Sequence, residues 1–329
     1  MTLPPVAWRP RISAIVVSVL LLGGVTVALL LHAPFVGEFW KTAGVLPLPA
    51  LVIALSLVLA QLGCQTLRLW ALIPRPNPVS VGRVAYAFTL GGWVNIFAPL
   101  HAGDAFRAVL LTRAEGEQPL ALTQAAGAIL ADRVVDVGSL IVLCAAGGLL
   151  GLASARMWTG AAARAPSLVV GVGATVLVTL LILRMTHPRW LARVTQVGRE
   201  LLKGASALRD PVMGSAAAAL SVGAWVAELL AIQVLCGALG FSLPLPRVLL
   251  ALVLLNVGIS VPISVANVGP YEAALAFGLR QAGVPLSSAV VLATVHHVLE
   301  LLAIGLVSAG LLTRAHAAPR EEPSHSSGS

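Results

Sequence analysis

The sequence predicts an all-α membrane protein that crosses the bilayer several times. Its 329 residues are 58% hydrophobic and only 10% charged, whereas a soluble domain carries about 25% charged residues. The mean hydropathy is +0.94, and long apolar runs alternate with short basic segments. A chain of this length with so little charge cannot cover a water-facing surface, so its apolar surface must face lipid.

Six apolar runs are long enough to cross the hydrocarbon core, which needs about 20 residues of helix. The first follows two arginines and is longer than the apolar region of a signal peptide, so we expect an uncleaved helix. We expect a single membrane domain over residues 1–313 and a disordered polar tail over 314–329. The runs lie at about 12–31, 49–72, 119–152, 166–184, 213–240 and 284–312.

Two further apolar stretches are interrupted by proline and glycine. Residues 84–100 lead into a short helical piece at 104–113, and residues 247–265 lead into another at 270–282. Each second piece has about ten residues, which is too short to cross. This pattern predicts two re-entrant helical hairpins, which a membrane tolerates only where protein or a wet cavity surrounds them.

Basic residues predict the orientation, because segments rich in Lys and Arg stay in the cytoplasm. We therefore expect a multi-pass protein of the cell (inner or plasma) membrane with both termini in the cytoplasm. The basic segment 184–209 is expected to form an amphipathic helix on that face. The other residues used for this orientation are Arg9, Arg11, Arg68, Arg75, Arg83 and Arg314.

The pattern of spans and hairpins occurs twice. Aligning Pro99 with Pro262 brings Asp136 opposite Glu300 with a one-residue slip. One span separates the halves, so they would run through the membrane in opposite senses, with hairpins that enter from opposite faces. Inverted repeats with broken central helices are typical of secondary transporters; chance similarity between apolar segments is the alternative. The repeats are residues 49–152 and 213–312.

Ionisable side chains at membrane depth need a partner or a function, because each costs at least about 2.5–3.5 kcal/mol on insertion scales. Asp132 and Asp136 are four residues apart, as are His296 and Glu300, so each pair shares one helix face. We expect both faces to point at the hairpins. The candidate substrate-binding residues are Asn95, Asp104, Arg107, Asp132, Arg133, Asp136, Asn267, Glu272, His297 and Glu300.

This set of residue types suits a phosphate. Arg107 and Arg133 offer planar forks of donors, and helix starts at the breaks add free N–H groups. The acids would balance the arginines or carry protons. Asn95 and Asn267 either satisfy backbone groups freed at the breaks or touch substrate. The alternative for the whole set is that the charges only neutralise one another and hold the hairpins in place.

Other classes of site are disfavoured. His296, His297 and Glu300 lack the usual order of a helical metal motif and a third histidine nearby, so we expect no metal. No nucleotide-binding loop is present, and we expect no cofactor. The net charge of +8 lies between apolar runs rather than on a basic-aromatic surface, so we expect no nucleic-acid partner.

The chain resembles the transmembrane region of lysylphosphatidylglycerol synthases and its stand-alone, flippase-like relatives. The resemblance rests on residues 95–107 (NIFAPLHAGDAFR), on Asp132-Arg133 and on residues 262–272 (PISVANVGPYE), within about 12–312. The family usually has Gly-Glu where this chain has Gly103-Asp104, and Glu-Arg where it has Asp132-Arg133. The segment 266–268 is poorer in glycine than the family pattern.

The resemblance implies a lipid flippase or scramblase rather than an enzyme. The cargo would be a polar, phosphate-bearing lipid such as a phospholipid, a polyprenyl-phosphate-linked lipid or a hopanoid-type lipid. No aminoacyl-transferase domain follows residue 312, so lipid aminoacylation is not implied. An intramembrane lipid-modifying enzyme and a scaffold for lipid-synthesis enzymes stay open as alternatives, and a homo-oligomer stays open as well.

Overall fold

The computed structural model describes residues 36–75, 79–97, 102–112, 120–149, 196, 198–259 and 267–317. All regular elements in these ranges are helical, with one 3-10 turn at Ser206–Arg209. The predicted spans at 12–31 and 166–184 lie outside the described residues. The helices are α1 (Val36–Gly44), α2 (Leu48–Leu72), α3 (Val81–Phe97), α4 (Ala102–Thr112), α5 (Leu122–Leu149), α6 (Pro211–Ala238), α7 (Leu245–Ile259), α8 (Pro270–Gln281) and α9 (Leu286–Ala317).

Three described helices are long and apolar enough to cross a membrane: α2, α6 and the part of α9 from Leu286 to Leu311. They match the runs predicted at 49–72, 213–240 and 284–312 within a few residues. Helix α9 continues to Ala317, into the segment 314–329 that the sequence predicts to be a disordered tail. Residues 318–329 lie outside the described part of the chain.

Helix α5 corresponds to the predicted run at 119–152. Its 28 residues span about 42 Å at 1.5 Å per residue, enough to cross hydrocarbon. Leu130, Val134, Val137 and Ile141 follow one another at intervals of three or four residues and are about half exposed. This apolar stripe suits contact with lipid, while Asp132 and Asp136 lie on the opposite side of the helix.

Helices α3 and α4 form the first hairpin, and α7 and α8 form the second. Two contacts show that α3 and α4 are antiparallel. Gly91 of α3 approaches Gly103 of α4, and Phe88, which precedes Gly91, contacts Arg107, which follows Gly103. Glycine and alanine also let α7 and α8 approach closely. The four helices have 17, 11, 15 and 12 residues, or about 16–26 Å each. Their re-entrant placement in a bilayer stays a prediction.

Helices α2 and α6 pack against each other along their length and run antiparallel. Gln61 contacts Glu228, and Arg68, seven residues later, contacts Ser221, seven residues earlier. These helices begin the two predicted repeats. The first repeat therefore enters the bundle in the opposite direction from the second, as an inverted repeat requires.

The remaining contacts are reciprocal between the repeats. Helix α5 ends the first repeat and packs on α6 and α7, which begin the second. Helix α9 ends the second repeat and packs on α2 and α3, which begin the first. The final span of each repeat thus packs on the first helices of the other repeat. A pseudo-twofold axis between the repeats produces this arrangement.

The two hairpins belong to two different apolar cores, each shared with neighbouring long helices. The first contains Val84 of α3 and Leu111 of α4, and the second contains Leu252 of α7 and Leu275 of α8, all fully buried. Burying a side chain of this size contributes about 1.5–3 kcal/mol in water, but between helices in lipid the gain comes from close packing. These cores fix the hairpins against the spans that carry the charged residues.

Candidate functional site

Arg68 on α2 is the centre of a buried ion-pair network. Its Nε lies 2.6 Å from Asp132 Oδ1, and its Nη1 donates to Asp136 and, at 2.8 Å, to Ser221 Oγ. Arg68 and Asp132 are each 1% exposed. The prediction that both pairs face the hairpins is correct only for the second pair, because His296 contacts Tyr271 of the second hairpin. The carboxylates of Asp132 and Asp136 instead bind Arg68 of α2.

Arg133, the neighbour of Asp132, points to the first hairpin. Its Nη2 lies 2.9 Å from both carboxylate oxygens of Asp104, and its Nε lies 3.2 Å from Oδ2. Asp104 is in the first turn of α4, where a negative charge also stabilises the helix dipole. The Arg133 side chain is 44% exposed, so this pair lies at an accessible edge of the hairpin.

Arg107 lies one turn after Asp104 and is buried. Its Nη1 is 3.6 Å from Asp104 Oδ1, its Nη2 donates to the Phe88 carbonyl at 3.4 Å, and its Cζ lies 4.0 Å from the centre of the Phe88 ring. Nε and Nη1 have no hydrogen-bond partner among the described residues. A cation with unused donors therefore lies directly behind the Asp104–Arg133 pair. We call Arg68, Asp104, Arg107, Asp132, Arg133 and Asp136 the arginine cluster.

The second hairpin carries a similar pair. Glu272 Oε1 lies 2.7 Å from His297 Nδ1 on α9. Its other oxygen accepts from the Gly269 N–H at 2.7 Å, which closes the start of α8. Asn267 and Gly269, just before α8, have φ of +55° and +94°, values that asparagine and glycine adopt most readily.

His296 and Glu300 lie beside this pair. The Tyr271 hydroxyl is 2.7 Å from His296 Nδ1, and the Tyr271 ring stacks on His297 with centroids 4.1 Å apart. Glu300 Oε1 is 4.0 Å from His296 Nδ1. The carboxyl of Glu228 is close enough to interact with the charge of Glu300. We call Glu228, Tyr271, Glu272, His296, His297 and Glu300 the histidine cluster.

The Asp104–Arg133 and Glu272–His297 pairs occupy equivalent positions. Asp104 is the third residue of α4 and Glu272 the third of α8. Arg133 and His297 are each the twelfth residue of their helix, counted from Leu122 and Leu286. In both repeats, an acid at the start of the second hairpin helix therefore binds a basic residue of the final span.

A family model for the lysylphosphatidylglycerol synthase TM region matches residues 12–308. The match covers most of the chain. The chain belongs to this family. No curated protein and no solved structure matches it. The resemblance found in the sequence motifs is thereby confirmed, and the family supports a membrane domain with a lipid-related function.

Two motifs that resemble this family border the hairpin breaks. Asn95 Oδ1 accepts from the Gly103 N–H at 2.7 Å, so Asn95 satisfies a backbone group near the start of α4. This is the first of the two roles considered for it. A role of Asn95, Asn267 or any other candidate in substrate binding stays a prediction.

Two buried residues were missed as members of the site. Arg68 was counted among the cytoplasmic charges, although it lies inside the apolar run at 49–72. Glu228 is absent from the candidate residues of the sequence analysis, although it lies inside the apolar run at 213–240; its Oε2 accepts from Gln61 Nε2 at 2.8 Å. Two signals in the sequence could have identified them: an arginine inside a predicted span, and a glutamine at matching depth in the other repeat.

No group of three His, Cys, Asp or Glu side chains in the described ranges is arranged to hold a metal ion. Cys64, Cys144 and Cys236 are free thiols on three different helices.

Proposed function

We propose that this member of the family is a lipid flippase or scramblase without enzymatic activity. In this proposal the polar, phosphate-bearing headgroup of a lipid crosses between the two hairpins while its tails stay in the bilayer. The proposed cargo class is a phospholipid, a polyprenyl-phosphate-linked lipid or a hopanoid-type lipid. The observation that carries the proposal is the equivalence of the Asp104–Arg133 and Glu272–His297 pairs in two oppositely oriented repeats.

The equivalence supports transport because a two-sided path needs similar groups for both halves of the crossing. Antiparallel α2 and α6 give the repeats opposite directions. If the hairpins are re-entrant, one opens to the cytoplasm and the other to the opposite side, as in transporters with inverted repeats. A headgroup leaving one of these two pairs would then meet the other.

The first pair has the chemistry to bind a phosphate. Arg133 is partly exposed and uses three donor contacts on Asp104, which a phosphate oxygen can replace with similar geometry. The unused Nε and Nη1 donors of Arg107 lie behind the same carboxylate. An arriving anion would give these donors partners while Asp104 moves aside.

The family and the apolar helices support a membrane location. We propose the cell membrane, with both termini in the cytoplasm, and membrane lipids as the main partners. Lipid-synthesis enzymes and a second copy of the chain are further proposed partners. Reporter fusions at each end test the orientation; a reporter active outside the cytoplasm at either end would contradict it.

Arg107→Ala tests the proposed path. Asp104 keeps Arg133 as its partner, so the variant should fold. Transport should fall by at least about tenfold, because a hydrogen bond to a charged group contributes about 1.5–3 kcal/mol and 1.4 kcal/mol is tenfold. Arg280→Ala is the matched control, since Arg280 is an exposed residue on the equivalent helix α8.

The assay uses purified full-length protein in vesicles that contain a fluorescent phospholipid, with a membrane-impermeant quencher added outside. Wild type and Arg280→Ala should expose the inner-leaflet label to the quencher, and Arg107→Ala should not. Equal rates in Arg107→Ala and wild type would contradict the proposed path. Mass spectrometry of cellular lipids with and without the gene tests the enzyme alternative, which predicts a changed lipid structure.

A further inference from the structure

The histidine cluster has three carboxyl groups and no permanent cation. Glu228, Glu272 and Glu300 make no ion pair with lysine or arginine among the described residues. The arginine cluster, by contrast, balances three aspartates with three arginines. The contacts to basic side chains that these acids make come from histidines: His297 lies 2.7 Å from Glu272, and His296 lies 4.0 Å from Glu300. A carboxylate at membrane depth without a cation is costly, so this cluster needs protons to reach neutrality.

Gln61 shows where a proton would be held. Its amide nitrogen donates to Glu228 Oε2 at 2.8 Å, while its amide oxygen is buried and accepts no hydrogen bond from any described residue. Gln61 is 7% exposed and Glu228 5%. A carboxylic acid and an amide can exchange two hydrogen bonds, one in each direction. A proton on Glu228 would therefore supply the donor that the amide oxygen lacks.

A second unused polar atom lies in the same cluster. His296 is fully buried, and its Nε2 has no partner among the described residues, although its Nδ1 meets the Tyr271 hydroxyl. Glu300 lies 4.0 Å from that Nδ1. Imidazole, phenol and carboxylic acid can each give and accept a proton. Tyr271, His296 and Glu300 thus form a short series along which a proton can move, and none of these side chains carries a permanent charge.

The charged and titratable surroundings of Glu228 and Glu300 come from four helices. Helix α2 contributes the uncharged Gln61, and α5 contributes Asp136, which shares Arg68 with Asp132. Helix α8 contributes Tyr271 and, next to it, Glu272, and α9 contributes both histidines. Of these, Asp136, Tyr271, His296 and His297 interact with one of the two carboxyls in the described structure.

We propose that Glu228 and Glu300 form a proton-binding site, and that uptake and release of its proton drive the lipid movement proposed above. The coupling part of this inference rests on that proposed function. A hydronium ion on one side gives a proton to a carboxylate oxygen, so an O–H bond of the hydronium breaks while the O–H bond of the neutral acid forms. On the other side this O–H bond breaks as a water molecule accepts the proton. The proton gradient across the membrane is the energy source.

The proton site can be tested without lipid transport. Infrared spectra of the reconstituted full-length protein, recorded during a pH titration, report the carbonyl stretch of protonated carboxyl groups. Wild type should show such a band within the membrane-buried protein, and Glu228→Gln and Glu300→Gln should each remove part of it. Glu200→Gln is the control, because Glu200 is partly exposed and pairs only with Lys203. A band unchanged in both buried variants would overturn the proposal.

Coupling is tested by imposing a pH gradient on vesicles that contain the fluorescent phospholipid. Wild type should move lipid faster with the gradient in one direction than with none, and an uncoupler should remove the difference. Glu228→Gln can keep a hydrogen bond to Gln61 as an amide pair but cannot exchange a proton, so the ratio of its transport rates with and without the gradient should fall to about one. A wild-type rate independent of the pH gradient, or one that responds to sodium instead, would overturn the coupling.

The outcomes separate the two proposals. If wild type moves no lipid under any condition but shows the titrating carboxyl band, the proton site stands and the transport function fails. If wild type moves lipid and the band is absent, transport stands and the proton site fails.

Discussion

The arginine cluster and the histidine cluster have equivalent positions and different chemistry. In the first repeat, Asp104 binds Arg133, and a network around Arg68 lies behind the pair. In the second, Glu272 binds His297, and Glu228 and Glu300 lie nearby without an arginine partner in the part of the chain that the structure describes. Arginine stays charged in proteins, whereas histidine and glutamate can gain or lose a proton near neutral pH. The same pair geometry can therefore be stabilised by permanently charged side chains in the first repeat and by side chains that exchange protons in the second.

This difference in chemistry also predicts which of the two clusters tolerates substitutions better. Removing a fixed charge strands an opposite charge in a dry environment, which is costly. Removing a group that can be neutral leaves a partner that can adjust its proton. The following predictions test this comparison, beginning with the largest effect.

Arg68→Ala should be the most damaging single change. It strands Asp132 and leaves Asp136 without its cation, and breaking a buried ion pair costs about 3–5 kcal/mol in soluble proteins. His297→Ala, in the second repeat, should cost less, because Glu272 keeps the Gly269 N–H and can take up a proton. Thermal unfolding in detergent, followed by size-exclusion chromatography, measures both.

The neutral variant Arg68→Met with Asp132→Asn and Asp136→Asn provides the control. It should recover most of the folded protein lost in Arg68→Ala. If Arg68→Ala unfolds at the same temperature as His297→Ala, the two clusters do not differ in the way proposed.

Gly103→Ala should disrupt the first hairpin, because a Cβ at this position would collide with the carbonyl oxygen of Gly91. Forcing extra volume into a packed interface costs about 1–3 kcal/mol, and a backbone atom cannot easily move away. Gly258→Ala in the second hairpin meets only the methyl group of Ala274, so the double variant with Ala274→Gly should restore stability. Gly92→Ala should be neutral, since its nearest contact is Ile304 at 3.8 Å.

Proteolysis of the purified variants provides a measurement of hairpin stability. Gly103→Ala should be cleaved faster than wild type, and the Gly258→Ala and Ala274→Gly pair should resemble wild type. A failure of the pair to recover would show that the second hairpin is constrained by more than this one contact.

Asp104→Asn and Glu272→Gln compare the two pairs directly. Asp104→Asn removes the charge that both Arg133 and Arg107 face, and we expect a loss of about 1–3 kcal/mol. Glu272→Gln can still accept from Gly269 N–H and meet a neutral His297, so its loss should stay below about 1 kcal/mol. Melting curves of both variants measure the two losses of stability. Equal losses would mean that the Glu272–His297 pair depends on its charges as much as the Asp104–Arg133 pair does.

The sequence predicts the spans well because lipid imposes a length of about 20 apolar residues on each one. The runs at 49–72 and 213–240 became α2 and α6 with ends shifted by at most two residues. The hairpin helices were also predicted, since proline and glycine mark their ends. These features depend on local composition.

The partners of the charged residues could not be predicted, because they depend on how each helix is rotated and where it crosses its neighbour. Arg68 lies near the end of an apolar run, where a cytoplasmic anchor and a buried partner have the same sequence pattern. Glu228 binds Gln61, an uncharged residue 167 positions away. Only the antiparallel register of α2 and α6 brings these residues together.

The proposed path requires the two hairpins to enter the membrane from opposite faces, and cysteine accessibility shows from which side each hairpin can be reached. In a chain with its three cysteines replaced by alanine, Gly82→Cys labels the start of the first hairpin and Gln281→Cys the end of the second. Both sites are exposed, and Gly82 has open space for a side chain. With an impermeant maleimide added to spheroplasts, Gln281→Cys should react at once and Gly82→Cys only after permeabilisation. Labelling of both sites from the same side would contradict the inverted arrangement, and with it the proposed path for the lipid headgroup.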